Sequence, residues 1–248
     1  MTTHKEQHMP FYHKRGSNVG VLCIHGLFGS PNQFLEIAEL IEDRGYDCKA
    51  ILLPGHGGTC KDFSGSNYKQ WRQYAGEEIA KMRQNYETVY LIGHSMGGLF
   101  CIDFAEEIGV DGIVLINTPM KLNIAVEKIS MCKDIVFKSK GGSNITRGDS
   151  SMPLYSVDKG KWYEYLPWIR PVLGIYNLMG ETKVKLDSIK TKALIFQSLQ
   201  DEVVNYKGVS LFKDKMENKK IVMLKESTHS NFSNNDMDVI KHLVGNFA

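Results

Sequence analysis

The sequence predicts an α/β protein with a mostly parallel central sheet and helices on both faces. Short apolar runs rich in β-branched residues alternate with longer segments whose apolar residues recur at helical spacing. The apolar runs are continuous, as expected for strands that are buried on both faces of a parallel sheet. Repeated strand–helix–strand units of this kind form parallel sheets. The chain of 248 residues is long enough for one large domain with a sizeable core.

The predicted elements follow one another along most of the chain. We predict strands at residues 19–24, 46–53, 88–93, 111–117, 192–198 and 220–226. We predict helices at residues 31–45, 66–86, 96–109, 205–217 and 235–247. The first helix has the usual end signals, because Pro31 lies near its start and Gly45 at its end.

One long segment, residues 119–187 approximately, interrupts this alternation and contains no clear strand. Insertions of this length are usually functional. Since the segment leaves the sheet after one strand and returns at the next, we predict a small cap over the strand ends, within a single domain of residues 1–248. Its aromatic residues, among them Trp162 and Trp168, are candidates for the wall of a binding pocket. The alternative is that they only pack the cap onto the body of the domain.

Composition and charge limit the classes of partner. With a formal net charge of +2, nothing favours a nucleic-acid partner. No apolar run approaches the roughly 18 residues of a membrane span, and the polar N-terminus does not look like a signal peptide. The five cysteines lack metal-ligand spacing, and Cys23, Cys48 and Cys101 lie in apolar segments. We therefore expect buried thiols in a cytoplasmic protein, with no metal and no stable membrane insertion.

The stretch GHSMGG at residues 93–98 indicates a nucleophile. It joins a predicted strand to a predicted helix, so Ser95 lies beyond the carboxyl end of a parallel strand, where ligands bind. A serine on such a sharp turn exposes its hydroxyl and needs neighbours that are almost free of side chains. Gly93 and Gly97 meet that requirement. The alternative is a tight strand–helix turn in which the serine only caps the helix.

A serine nucleophile needs a base, and the base needs a third group to orient it. In this architecture the chain order is serine, acid, histidine, each in a loop after a later strand. His229 follows the last predicted strand, whereas His242 lies in an amphipathic helix and is expected to be solvated. Asp201 and Glu202 follow the strand before it. We predict Asp201 as the acid, and Glu202 as a favourable charge at the next helix N-terminus.

The loop HGLFGS, after the first predicted strand, is expected to supply a second oxyanion donor. We predict that the N–H groups of Leu27 and Met96 form the oxyanion hole and that Phe28 supplies a hydrophobic wall. Phe28 as the donor stays open as an alternative. His25 precedes the serine and is out of order for a base, so we expect it to order its loop by hydrogen bonds. We expect the same of His56 in the loop PGHGGT.

Together, the stretches HGLFGS, LLPGHG, GHSMGG, LQDEVV and STHS resemble the α/β-hydrolase fold. Within that fold the chain resembles the small bacterial carboxylesterases and monoacylglycerol lipases, over residues 11–119 and from residue 192 onward. The resemblance implies a single domain with a small inserted cap, no cofactor, and hydrolysis of short- to medium-chain acyl esters.

Position by position, the resemblance implies that Ser95 is the nucleophile and that Asp201 and His229 complete the triad. It places Leu27 and Met96 in the oxyanion hole. The segment between the two similar regions matches no pattern of the family, which leaves the acyl and alcohol preferences open.

Other functions use the same fold and triad, because neither fixes the leaving group. A thioesterase, amidase or acyltransferase is the first alternative, and a pantetheine thioester would favour a basic patch such as Lys138, Lys140 and Arg147. A non-catalytic ligand receptor built on this fold is the second. The partner that we predict is a small acyl ester, and the sequence does not indicate an oligomeric state.

Overall fold

The computed structural model describes residues 5–123, 156–158 and 161–247. Its seven strands are β1 (Phe11–His13), β2 (Val19–Ile24), β3 (Asp47–Ile51), β4 (Thr88–His94), β5 (Gly112–Ile116), β6 (Ala193–Ser198) and β7 (Lys219–Leu224). They form one sheet in the order β1-β3-β2-β4-β5-β6-β7. The edge strand β1 is antiparallel to β3, and every other neighbouring pair is parallel.

The α-helices in the described ranges are α1 (Leu35–Asp43), α2 (Cys60–Ser64), α3 (Tyr68–Asn85), α4 (Met96–Ile108), α5 (Ile169–Lys185), α6 (Val209–Lys215) and α7 (Asn234–Phe247). Short 3-10 helices precede α1 at Pro31–Phe34, α5 at Trp162–Trp168 and α6 at Tyr206–Gly208. The predicted helix 31–45 is therefore a 3-10 turn followed by an α-helix. The predicted helix 205–217 likewise consists of a 3-10 turn and then an α-helix.

Side chains of the central strands alternate between two cores, one on each face of the sheet. In β2, Leu22 and Ile24 pack with residues of α3 and α4, whereas Val21 and Cys23 pack with residues of α1 and α7. All four are fully buried, which explains why the strand reads as a continuous apolar run. The predicted parallel sheet with helices on both faces is confirmed.

Some elements were not predicted. The edge strand β1 has only three residues and is partly exposed, so no apolar run marks it. Helix α5 lies inside the segment predicted to be a cap, for which no helix was predicted. Ile175, Leu178 and Met179 bury one of its faces at helical spacing. The glycine-rich part at residues 139–151, together with Lys138, Lys140 and Arg147, lies outside the described residues.

The parallel strands share one direction, so the loops that follow β2, β4, β5, β6 and β7 leave the sheet at the same edge. These loops contain the residues that the sequence singles out: Leu27, Ser95, Asp201 and His229. They are far apart in the sequence, and the sheet brings their loops together.

Candidate active site

Ser95 occupies a strained turn between β4 and α4. Its backbone angles are φ 52° and ψ −121°, and a positive φ is uncommon for a residue other than glycine. The Ser95 N–H donates to the Ile116 carbonyl at the end of β5, over 2.8 Å. This bond to the neighbouring strand holds the turn in place.

Glycines around Ser95 are required by close packing. A Cβ added to Gly97 would lie 1.9 Å from the Ile24 carbonyl oxygen, and one added to Gly93 would lie 2.5 Å from the Gly98 Cα. On the facing loop, a Cβ on Gly26 would lie 2.9 Å from the Ser95 Cβ. Only a chain without side chains at these positions can bring the loop after β2 against the turn that carries Ser95.

Ser95, His229 and Asp201 form a chain of hydrogen bonds. Ser95 Oγ lies 3.0 Å from His229 Nε2, and His229 Nδ1 lies 2.9 Å from Asp201 Oδ2. Because a carboxylate only accepts, Nδ1 donates to Asp201, which leaves Nε2 to accept from the Ser95 hydroxyl. This is the order of groups that removes the proton from a serine as it attacks a carbonyl carbon.

The two oxygens of Asp201 have separate partners. While Oδ2 faces His229, Oδ1 accepts the N–H groups of Val203 and Val204 at 2.9 and 2.7 Å. The Asp201 side chain is fully buried and thereby fixed in orientation. Glu202 does not serve the helix N-terminus as expected, because its Oε2 accepts the backbone N–H of His229 over 3.0 Å.

Two polar residues that sequence reasoning missed hold the backbone of His229. Asn117 Nδ2 and His94 Nε2 both donate to the His229 carbonyl, at 2.9 and 2.8 Å. Each stands at the carboxyl end of a strand, and that position was the signal available in the sequence.

Farther from Ser95, Asp236 accepts from Ser227 N–H and Oγ, at 2.9 and 2.6 Å. Burial would raise the pKa of Asp236, but these hydrogen bonds outweigh it and lower the pKa.

The loop after β2 forms a tight turn beside Ser95. The Gly29 N–H donates to the Gly26 carbonyl over 3.0 Å, and Phe28 inside the turn has φ 58°. Leu27 is partly buried against the core. Met96 is the first residue of α4, and N–H groups in a first helical turn have no intrahelical acceptor. The turn of residues 26–29 and the start of the helix are thus the two elements that carry the predicted donors.

Phe28 packs within an aromatic cluster. Its ring centroid lies 4.8 Å from that of Phe63 and 4.9 Å from that of Trp168. Trp168 is buried and donates through Nε1 to the Cys60 carbonyl over 3.1 Å. For Trp168 the geometry therefore matches the alternative in which it packs the inserted segment onto the body. The Trp162 side chain lies outside what the structure describes.

Three further histidines, His25, His56 and His242, were expected to have no catalytic role. His25 donates through Nδ1 to the Gly26 carbonyl over 2.8 Å and accepts the Leu53 N–H at Nε2 over 3.0 Å, which ties two loops together. Burial lowers the pKa of His25 well below its usual value, and burial lowers the pKa of His56 to about 4. His242 is exposed on α7. The expectation that His25 orders its loop is confirmed.

Comparison with known proteins identifies the family. The model of the Hydrolase_4 family, described as serine aminopeptidase S33, matches residues 17–236. The chain belongs to this family. It is 31% identical to the thermostable monoacylglycerol lipase of Bacillus sp. (strain H-257), over 89% of this chain and 86% of that protein. It is 23% identical to a carboxylesterase of Bacillus subtilis (strain 168), over 96% of this chain and 95% of the other.

Solved structures agree on the fold. A structure from the metagenome-derived lipolytic enzymes LipS and LipT superposes with a TM-score of 0.76 at 22% identity, covering 97% of both chains. The chain is a serine hydrolase of the esterase and lipase group with the α/β-hydrolase fold. None of the helices in the described ranges has the length and apolarity that crossing a bilayer requires.

Proposed function

We propose that the chain hydrolyses short- to medium-chain carboxylic esters, monoacylglycerols among them, through a Ser95–His229–Asp201 triad. The observation that carries the proposal is the pair of hydrogen bonds of 3.0 and 2.9 Å that links the three side chains. The names of two relatives, a monoacylglycerol lipase and a carboxylesterase, support an ester as the substrate.

The reaction begins when Ser95 Oγ attacks the ester carbonyl carbon and His229 Nε2 takes the hydroxyl proton. The bond from the carbonyl carbon to the alcohol oxygen then breaks, and His229 returns its proton to that oxygen. Water attacks the acyl group on Ser95 in the same manner, which releases the carboxylic acid and restores the hydroxyl. Asp201 keeps His229 in the tautomer that these steps need.

The oxyanion that forms at each step is held by the N–H groups of Leu27 and Met96. The tight turn that contains Leu27 and the start of α4 at Met96 support this assignment. Preorganised donors of this type act where the charge develops, and losing one typically costs about 100- to 1000-fold in rate.

We further propose that residues 119–187, approximately, form a small cap within a single domain, with Phe28 near the acyl group and Trp168 packing the cap onto the body. The contacts of Trp168 with Phe28 and with the Cys60 carbonyl support this arrangement. We also propose a cytoplasmic location. It is supported by the cysteines in the described ranges, which are buried thiols as expected in a reducing compartment.

The test is turnover of p-nitrophenyl esters from acetate to palmitate, followed by monoacylglycerols of matching chain length, with Ser95→Ala beside the unchanged protein. We expect a maximum at short or medium chains and a loss of at least about 10⁴-fold in the variant. Faster turnover of a thioester or peptide amide than of every ester would assign another acyl transfer. Saturable binding of esters without any turnover would favour a receptor and overturn the proposal.

A further inference from the structure

Asn117 has an unusual environment just beyond the end of β5. It is fully buried and has a left-handed backbone with φ 48°. Its Nδ2 donates to the carbonyls of His229 and Thr228 at 2.9 and 3.2 Å, and to Ser198 Oγ at 3.1 Å. Its Oδ1 accepts the Ser198 N–H over 2.8 Å. One side chain thus joins three separate segments.

Two of these segments carry Asp201 and His229, and the third, the end of β5, is bonded to the turn that carries Ser95. Ile116, the residue before Asn117, accepts the Ser95 N–H over 2.8 Å. Ser198 is the last residue of β6, and Asp201 follows it in the same loop. The dipeptide of residues 116–117 is therefore bonded to Ser95, to the loop of Asp201 and to His229 itself.

The sheet topology explains why a side chain is needed here. Strand β6 lies between β5 and β7, so no ladder hydrogen bond can join the end of β5 to the loop that follows β7. The loop with His229 is instead held by the Asn117 amide, which spans the end of β6. On the other side, His94 at the end of β4 donates to the same His229 carbonyl over 2.8 Å.

We propose that Asn117 is a positioning residue that holds His229 between Ser95 and Asp201. This inference rests on the triad proposed above. Asn117 acts through the backbone of His229, whereas the Ser95 hydroxyl is bonded to the His229 ring. A misplacement of about 1 Å in a catalytic group can cost on the order of 100-fold in rate, so loss of the amide is expected to reduce turnover rather than substrate binding.

Asn117 could matter through its side-chain amide or through its left-handed backbone, and suitable variants separate these two roles. Asn117→Gly accepts the positive φ without strain but removes the amide, whereas Asn117→Ala removes the amide and adds strain. Asn117→Asp keeps the size and the acceptor for the Ser198 N–H, and it places an oxygen where Nδ2 stood. Asp also tolerates the left-handed region, so this variant decides the question if the glycine variant does not fold.

Asn123 is the matched control. Its Nδ2 donates to the carbonyl of another triad residue, Asp201, over 2.9 Å, but Asn123 is exposed. Water can replace this bond at the surface, whereas it cannot reach the buried carbonyl of His229 as readily. We expect Asn123→Gly to keep kcat within about threefold of the unchanged protein.

The experiment measures kcat and KM on the best p-nitrophenyl ester, together with the low-field proton resonance of His229 Nδ1–H in its bond to Asp201. We expect Asn117→Gly and Asn117→Asp to lower kcat by about 10- to 100-fold with KM little changed, and to shift or broaden the resonance. A wild-type kcat and resonance in Asn117→Gly would overturn the proposal and leave only a backbone role. The resonance needs no substrate, so the positioning role is tested even if no ester is hydrolysed.

Discussion

At the scale of single residues, the site depends on polar groups that are bonded on two sides. Asp201 contacts His229 with one oxygen and two backbone N–H groups with the other. His229 is held through its ring, its N–H and its carbonyl. Since a buried donor or acceptor without a partner is costly, each bond restricts its residue to one orientation. Preorganisation of this kind is what hydrolysis by a serine requires.

The residue-scale prediction concerns Asp201→Asn. The amide can donate to His229 Nδ1, which would move the ring proton to Nε2 and leave no acceptor for the Ser95 hydroxyl. We expect kcat to fall on the order of 10⁴-fold with little change in the free energy of unfolding. Ester turnover and chemical denaturation measure the two quantities.

Glu202→Gln serves as the control for this variant. Its amide oxygen can still accept the His229 N–H, so we expect activity within a few-fold of the unchanged protein. If Asp201→Asn retained near-normal turnover while Glu202→Gln lost it, the assignment of the acid would have to move to Glu202.

At the scale of elements, the turn at Ser95 forms where a strand, a turn and a helix meet without side chains between them. The start of α4 lies against the carboxyl end of β2, where Gly97 faces the Ile24 carbonyl. Next to it, a Cβ on Gly98 would lie 1.9 Å from Thr118 Oγ1 beyond β5. The positive φ of Ser95 is stabilised by this close packing of strand, turn and helix.

The element-scale prediction compares two glycine substitutions in helices. Gly97→Ala would force α4 away from backbone atoms of β2, so we expect a loss of several kcal/mol in unfolding free energy, or failure to fold. Gly180 in α5 is exposed, and a Cβ added there would meet no atom within 4 Å. We expect Gly180→Ala to increase the free energy of unfolding by about 0.5–1 kcal/mol.

Thermal unfolding of both alanine variants measures these effects. An unchanged melting temperature for Gly97→Ala would contradict the close approach of α4 and β2. A strong loss in Gly180→Ala would mean that this helix position contacts another part of the molecule.

At the scale of the whole molecule, buried histidines couple folding to pH. His25 and His56 are buried side by side, with ring centroids 4.8 Å apart, and burial lowers the pKa of both. They connect the loop after β2 with the loop after β3, where His25 accepts the Leu53 N–H. Protonation of either ring would place a charge in an apolar, aromatic environment.

The whole-molecule prediction is a loss of stability in acid. The pKa of His56 falls from 6.5 to about 4 on folding, so the unfolded chain binds more protons between these values. The free energy of unfolding should therefore decrease as the pH is lowered through this range, by roughly 3 kcal/mol from His56 alone. His25, whose pKa is also lowered, adds to the loss in the same direction.

Urea denaturation at pH 7 and at pH 4.5 measures this dependence. His56→Phe, which keeps a ring among Phe63 and Trp71 but cannot titrate, should reduce the difference between the two pH values. His242→Gln, at an exposed position, should leave the difference unchanged. An equal pH dependence in His56→Phe and the unchanged protein would show that His56 does not contribute.

The sequence determined the parallel sheet, the turn at Ser95 and the order of Asp201 and His229, because each rests on local patterns: apolar runs, glycine spacing and positions just after strands. The edge strand β1 is too short to produce such a pattern. Helix α5 lies in the segment that the sequence indicates only as an insertion. Only the tertiary structure decided the partners of Glu202, Asn117 and His94, which all contact the backbone of His229. Asn117 and His229 are separated by 112 residues, and no local pattern specifies a contact that depends on how the strands are ordered in the sheet.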